Sequence, residues 1–171
     1  MTVQAQPPLS YGSNAAAIQA HAFAYQRSHD QDAATPVHHP VVVVGAGPVG
    51  LSLAIDLAQR GQRVLLLDND HRLSTGSRAI CFAKRTLEIW DRLGVGDAMV
   101  AKGVGWNTGR VFFKDDALYH FDLLPEPGHE RPAFVNLQQY YAEAYLAVRA
   151  AELPNLEIRW KNTVASVMQA A

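Results

Sequence analysis

The chain has little cysteine, no long apolar run and no excess of charge of either sign. Its single cysteine, Cys81, excludes an internal disulfide, so we expect a reducing compartment, the cytoplasm. No apolar stretch approaches the roughly 18 residues that a membrane-spanning helix needs. A formal net charge of −1 provides no basic surface for nucleic acid or for an anionic membrane. We therefore expect neither of those two partners.

The 171 residues suffice for one domain of ordinary size. Residues 1–39 are rich in alanine, glutamine, serine and histidine, which predicts a flexible extension with a short helix within 15–25. The folded domain is predicted over 40–171. The histidines of the extension match no zinc-ligand spacing, so no metal site is expected there or elsewhere.

A run of four valines followed by a glycine-rich turn is the most informative stretch. Valine at 41–44 suits a buried strand, because β-branched side chains fit a covered, pleated surface. The turn reads G-x-G-x-x-G and comprises Gly45, Ala46, Gly47, Pro48, Val49 and Gly50. Its glycines allow a tight turn, close approach of a pyrophosphate and close packing of a helix on the strand.

The residues after this turn complete a β-α-β unit. Helical spacing continues to a C-terminal glycine at Gly61, and a second apolar strand ends at Asp68. Asp68 follows Gly50 by 18 positions, close to the ~20 expected of the carboxylate that accepts from ribose hydroxyls. A chance glycine cluster in another α/β turn is the alternative. Because Asp68 would repel a 2′-phosphate, FAD or NAD fits this pattern better than NADP.

The later segments predict further helices and strands around this unit. The pattern indicates a helix from Lys84 to Gly94, a hairpin within 106–123, a helix over 137–152, and strands over 156–160 and 163–168. The predicted fold class is α/β: an incomplete Rossmann-like β-α-β domain with a parallel sheet and a small antiparallel hairpin.

From about residue 40 to residue 167 the sequence resembles the FAD-dependent aromatic hydroxylases with the para-hydroxybenzoate hydroxylase fold. The 3-(3-hydroxyphenyl)propionate hydroxylase type is the most similar subgroup. The resemblance rests on Asp68 and on Val-Gly-Ala-Gly-Pro-Val-Gly-Leu at 44–51, Ser-Arg-Ala at 77–79, Lys-Arg-Thr-Leu-Glu-Ile-Trp-Asp-Arg-Leu-Gly at 84–94 and Asn-Leu-Gln-Gln-Tyr-Tyr-Ala-Glu at 136–143. It implies the N-terminal part of such an enzyme, with the hairpin within 106–123 as the start of the substrate region.

The resemblance implies two further cofactor contacts. Arg78 matches an arginine that contacts the ribityl-phosphate region of FAD, and Gln139 matches a glutamine placed four residues before a glutamate, here Glu143. The family has proline before that glutamine, whereas this chain has Gln138, and the distance to Glu143 favours Gln139. The alternatives are a solvated arginine and a glutamine that caps a helix. Glu143 itself is interpreted as structural.

The resemblance also implies an activity. NADH or NADPH reduces the flavin, and the reduced flavin activates O2 to hydroxylate a phenolic substrate, so no side chain is assigned a catalytic role. Enzymes of this family are about three times as long and carry later motifs, one with Asp-Gly and one with Gly-Asp, which we do not identify here. We therefore expect the chain to be incomplete and inactive alone. A free-standing dinucleotide-binding module and an NAD-dependent dehydrogenase are the alternatives.

Overall fold

In the computed structural model, which describes residues 14–74 and 79–169, the centre is a three-stranded parallel sheet. Its strands are β1 (Val41–Val44), β2 (Val64–Leu67) and β8 (Leu156–Arg159), in the order β1-β2-β8. Val41 pairs with Val64 and Val64 with Leu156, and the register continues to Val44, Leu67 and Arg159. The three strands therefore end in line, at one carboxyl edge, as the β-α-β pattern predicts.

Two helices that pack on each other accompany this sheet. Helix α2 (Pro48–Gln59) leaves β1, and helix α5 (Gln139–Ala151) leads into β8. Leu51, Ala54 and Ile55 of α2 are buried in the same core as Leu146 and Ala147 of α5. Helix α2 connects β1 to β2 and α5 leads into the start of β8, so both run opposite to the parallel strands and place their amino ends at the carboxyl edge.

The predicted helix after Lys84 is confirmed as α3 (Lys84–Leu93). Leu87, Trp90 and Leu93 are its buried residues, and Gly94 ends it with φ +86°, in the left-handed conformation that glycine adopts without strain. Helix α4 (Gly96–Lys102) follows directly. A small antiparallel sheet in the order β3-β7-β4 lies beside these helices, from strands β3 (Cys81–Ala83), β4 (Val104–Trp106) and β7 (Phe134–Asn136).

The hairpin predicted within 106–123 is also confirmed. It comprises β5 (Thr108–Phe113) and β6 (Asp116–Asp122), which pair with each other and, among the described residues, with no further strand. Large apolar side chains on the hairpin are exposed: Phe112, Phe113, Leu118 and Tyr119. A two-stranded hairpin cannot cover both of its faces.

The segment before the sheet, whose composition predicts a flexible or loosely docked extension, packs on the core. It contains α1 (Ala15–Ala20) and a 3₁₀ turn (His29–Asp32). Ile18 and Phe23 are almost fully buried, and Phe23 stacks on Trp160 with ring centroids 3.9 Å apart. These contacts hold the described part of the segment, 14–39, against the folded unit.

The strand predicted over 163–168 is wrong. These residues form no regular structure, and Val167 and Met168 are almost fully exposed. A strand requires a neighbour that accepts and donates its backbone hydrogen bonds, and the described residues place none beside this stretch. Within the described residues, no helix has the length and apolar character needed to cross a bilayer.

Candidate functional site

The carboxyl edge of the parallel sheet gathers the residues that the sequence singles out. The Gly45 N–H donates to the Leu67 carbonyl at 2.7 Å, and the Asp68 N–H donates to the Arg159 carbonyl at 3.1 Å. These bonds fix the start of the glycine turn and the position of Asp68 next to each other. Gln139 joins the same edge as the first residue of α5. Ligands of open parallel sheets bind at such an edge.

Each of the three motif glycines meets a different steric condition. Gly45 has φ +100°, a conformation that residues with a side chain rarely adopt. A Cβ on Gly50 would lie 1.8 Å from the Gly45 carbonyl oxygen, so the close helix contact requires glycine. Gly47 has an ordinary φ of −76°, and a Cβ there would meet no atom within 4 Å. The protein's own packing therefore does not require glycine at 47.

The first turn of α2 offers donors to an anion at this place. Gly47 is the N-cap and Pro48, which lacks an N–H, is the first helical residue. The N–H groups of Val49 and Gly50 have no acceptor within the helix, because their partners would precede its start. Together with the positive end of the helix dipole, they form an arrangement that suits a phosphate group.

Asp68 lies beside the glycine turn and holds it. Its Oδ2 accepts from the Ala46 N–H at 2.5 Å and its Oδ1 accepts from the Asp70 N–H at 2.7 Å. Each carboxylate oxygen can accept more than one hydrogen bond, so acceptor capacity for a ribose hydroxyl remains. The Ala46 amide is engaged with Asp68, which leaves the amides at the start of α2 as the donors for a ligand.

Three residues meet at the start of α5: Gln139 and Glu143 of the helix itself, and Ser74 from the segment after β2. The Gln139 Nε2 lies 2.6 Å from Glu143 Oε1 and 3.1 Å from Ser74 Oγ. Ser74 donates to Glu143 twice, from its N–H to Oε2 at 2.6 Å and from its hydroxyl to Oε1 at 2.7 Å. Glu143 is 2 % exposed. The spacing of Gln139 and Glu143, four positions apart on one helix, brings them together.

Sequence reasoning missed Ser74 and the burial of Glu143. Glu143 lies between the buried residues Ala142 and Ala144, and a carboxylate on the buried face of a helix needs donors to offset its lost hydration. That pattern is a signal for a buried polar contact, but nothing local identifies Ser74, 69 positions away, as the donor.

Other residues and motifs of the sequence are also candidates for parts of a site. Arg78 lies outside the described residues. The free thiol of Cys81 is exposed on β3. The sequence does contain one Gly-Asp pair, Gly96-Asp97, but it opens α4, and Asp97 Oδ1 accepts from buried Arg131 at 2.6 Å. Among residues 14–74 and 79–169, no three histidine, cysteine or acidic side chains lie close enough to hold a metal ion.

A cavity of about 170 Å³ lies at the opposite end of the sheet. Its lining includes His39, Arg63, Val64 and Asn155, which precede or begin the parallel strands. No residue of the glycine turn lines it. The cavity is therefore separate from the carboxyl edge, where the loop, Asp68 and the start of α5 lie.

Comparison with known proteins agrees with this geometry. The family described as "FAD binding domain" matches residues 38–171. A curated relative, 6-methylpretetramide 4-monooxygenase of Streptomyces rimosus, is 46 % identical over 124 residues, which cover 70 % of this chain and 22 % of the relative. A 3-(3-hydroxy-phenyl)propionate/3-hydroxycinnamic acid hydroxylase of Mycobacterium sp. (strain JLS) is 28 % identical over 131 residues, 77 % of this chain and 23 % of that protein.

The solved structures give the same result for the fold. The crystal structure of p-nitrophenol 4-monooxygenase from Pseudomonas putida DLL-E4 superposes with a TM-score of 0.71 at 28 % identity, over 77 % of this chain and 34 % of that one. The chain thus spans about a fifth to a third of the length of these relatives. The resemblance to aromatic hydroxylases is confirmed. The chain belongs to the FAD binding domain family, and its relatives are aromatic hydroxylase monooxygenases.

Proposed function

We propose that the carboxyl edge of this sheet binds the adenosine and pyrophosphate portion of FAD. The observation that carries the proposal is the open space at Gly47. Gly45 and Gly50 are explained by backbone conformation and by packing, whereas Gly47 is explained by neither. A ligand that must approach the backbone closely accounts for a glycine there, and the amides of Val49 and Gly50 face the same turn.

The residues present suit the parts of this cofactor. The start of α2 would bind the pyrophosphate through the N–H groups of Val49 and Gly50. Asp68 would accept from the ribose hydroxyls while it holds the glycine turn through Ala46. Gln139 would contact the cofactor from the start of α5, and by family resemblance Arg78 would contact its ribityl-phosphate region. Bound flavin would supply the redox chemistry, and the protein positions it.

This chain covers only part of the length of its relatives. For the whole protein we propose the activity of an NAD(P)H-dependent monooxygenase. The names of two relatives, a pretetramide monooxygenase and a hydroxyphenylpropionate hydroxylase, support an aromatic substrate that is hydroxylated with O2. The described residues would supply the carboxyl edge of the sheet, where we propose that the dinucleotide binds. We assign no side chain of this chain to the chemical step.

Calorimetric titration of the purified 171-residue chain with FAD, NAD and ADP tests the proposal. We expect FAD and ADP to bind in competition with each other, since they share the adenosine and pyrophosphate groups, and FAD to bind more tightly than NAD. Preference for NAD would favour the dehydrogenase alternative and overturn the flavin assignment.

Sequencing the DNA downstream of codon 171 separates an enzyme portion from a free-standing module. An in-frame continuation with the later Asp-Gly and Gly-Asp motifs would support the monooxygenase. A stop codon at that position, combined with stable folded protein in cells, would favour a non-catalytic dinucleotide-binding module.

A further inference from the structure

We propose that Glu143 is a positioning residue, which orients the amide of Gln139 so that its carbonyl oxygen faces the ligand. This inference rests on the proposed function and assigns the chemistry of one contact. The Gln139 side chain would then accept a hydrogen bond from a hydroxyl group of the cofactor. It would not donate to a phosphate oxygen.

The contacts between Gln139, Glu143 and Ser74 form a closed triangle. Glu143 accepts from the Ser74 N–H and hydroxyl at 2.6 and 2.7 Å and from Gln139 Nε2 at 2.6 Å. Gln139 Nε2 also lies 3.1 Å from Ser74 Oγ. Burial of Glu143, at 2 % exposure, keeps water from replacing any of the three donors.

The donor and acceptor capacities of these groups fix which end of the Gln139 amide faces Glu143. A carboxylate accepts and does not donate, so the Ser74 hydroxyl hydrogen points at Glu143 and a lone pair of Ser74 Oγ faces Gln139. The Gln139 amide nitrogen then donates to Glu143 and also faces Ser74 Oγ, so the nitrogen side of the amide is directed at these two acceptors. The carbonyl oxygen Oε1 is the group of Gln139 that we assign to the ligand.

The chemical consequence is a preference for donors. Phosphate oxygens only accept hydrogen bonds, so an amide oxygen would repel them, whereas a sugar or polyol hydroxyl can donate a hydrogen bond to it. FAD carries such hydroxyls on its adenosine ribose and on the ribityl chain that joins the pyrophosphate to the flavin ring. The amino end of α5 lies at the carboxyl edge, within the same group of elements as the glycine turn.

The test compares three variants: Glu143→Gln, Gln139→Glu, and the double variant that carries both. In Glu143→Gln the side-chain amide of Gln139 can rotate, because residue 143 then has one accepting oxygen instead of two. Gln139→Glu places two carboxylates against each other. In the double variant the amide of residue 143 donates to the carboxylate of residue 139, whose other oxygen again faces the ligand as an acceptor.

We expect each single variant to bind FAD about fivefold to tenfold more weakly than wild type, the value of about one hydrogen bond. The double variant should bind more tightly than either single variant. Glu152→Gln, which changes an exposed carboxylate near the end of the same helix, is the matched control and should bind FAD as wild type does. Flavin fluorescence gives the affinity for FAD, and a thermal midpoint for each variant checks folding.

Titration with ADP, which lacks the ribityl chain, distinguishes the two sources of the hydroxyl. Unchanged ADP affinity in Glu143→Gln assigns the contact to the ribityl chain, and an equal loss for ADP assigns it to the adenosine ribose. Wild-type FAD affinity in folded Glu143→Gln would overturn this inference, and so would a double variant that binds FAD no more tightly than the single variants. Either result would leave the proposed function unaffected. A wild-type chain that binds neither FAD nor ADP would overturn the proposed function as well.

Discussion

Replacing Gly47 by alanine should separate binding from folding at the glycine turn. The φ of −76° suits alanine, and the added Cβ would meet no protein atom within 4 Å. Alanine is a poorer N-cap than glycine by roughly 0.5–1 kcal/mol. The lower entropy of its unfolded chain offsets this by about 0.4–1 kcal/mol. The free energy of unfolding should therefore remain close to that of wild type.

The affinity for FAD should fall, because the new methyl group fills the space that the pyrophosphate needs. Displacement of the phosphates from the start of α2 would lose about one charge-assisted hydrogen bond, worth roughly 1.5–3 kcal/mol. At ~1.4 kcal/mol for each factor of ten, this corresponds to a loss of about tenfold to 150-fold. Gly47→Leu, with a larger side chain, should lose at least as much.

Gly50→Ala is the matched control for the effect of a methyl group on this turn. Its Cβ would lie 1.8 Å from the Gly45 carbonyl oxygen, so backbone atoms must move. Overpacking of this kind costs about 1–3 kcal/mol, which lowers the thermal midpoint of a chain of this size by about 2–12 °C. Calorimetry and thermal denaturation of both variants provide the comparison. A Gly47→Ala chain that binds FAD as wild type does would refute the cofactor assignment.

Three further predictions concern single side chains. Asp68→Ala should weaken FAD binding about tenfold to 150-fold in a titration, with Asp70→Ala as the control that keeps its backbone donor. The hydrogen bond from Arg159 lowers the pKa of Asp30 from 3.8 to about 2, so its stabilisation is present above about pH 4 and is lost as pH falls towards 2. Denaturant titrations should therefore show Asp30→Asn about 2 kcal/mol less stable than wild type at pH 7 and a smaller difference at pH 2; an equal difference at both would contradict this. Phe23→Ala should cost about 3–5 kcal/mol of unfolding free energy, and exposed Tyr25→Ala less than 1; equal losses would show that Phe23 is not an anchor.

The parts of the site that were predictable from sequence are those with local signals. The valine strand, the glycine turn and the acid after the second strand occupy one continuous stretch, and their spacing reports the geometry directly. The burial expected of the valines is wrong for Val42 and Val44, which are exposed because β1 lies at the edge of the sheet. Gln139 and Glu143, which the family motif spaces four positions apart, share a helix face and bond to each other. The cofactor roles of Asp68, Gln139 and the motif residues stay predictions until binding is measured.

Contacts between distant segments could not be predicted in the same way. Ser74 bonds to Glu143, and Arg131, before β7, holds Asp91 of α3 and Asp97 of α4. Each pair joins residues at least 34 positions apart, and no spacing rule connects them. The strand expected over 163–168 failed for the related reason that an apolar stretch forms a strand when a neighbouring strand pairs with it.

The segment before the sheet shows the same limit most clearly. Composition predicted a flexible or loosely docked segment and did not identify its anchors, because they are few and do not recur with a helix or strand period. Ile18 reaches the core from α1, which packs on α5, and Phe23 stacks on Trp160 just after β8. Asp30 then accepts from Arg159 at 2.6 Å. The segment thus packs first on α5, then on Trp160 after the end of β8, and then on Arg159, the last residue of β8. Arg159 is buried at this place. Val44, the residue directly before the glycine turn, is 61 % exposed. The segment therefore packs at the β8 end of the carboxyl edge and leaves the β1 end, where the glycine turn begins, exposed.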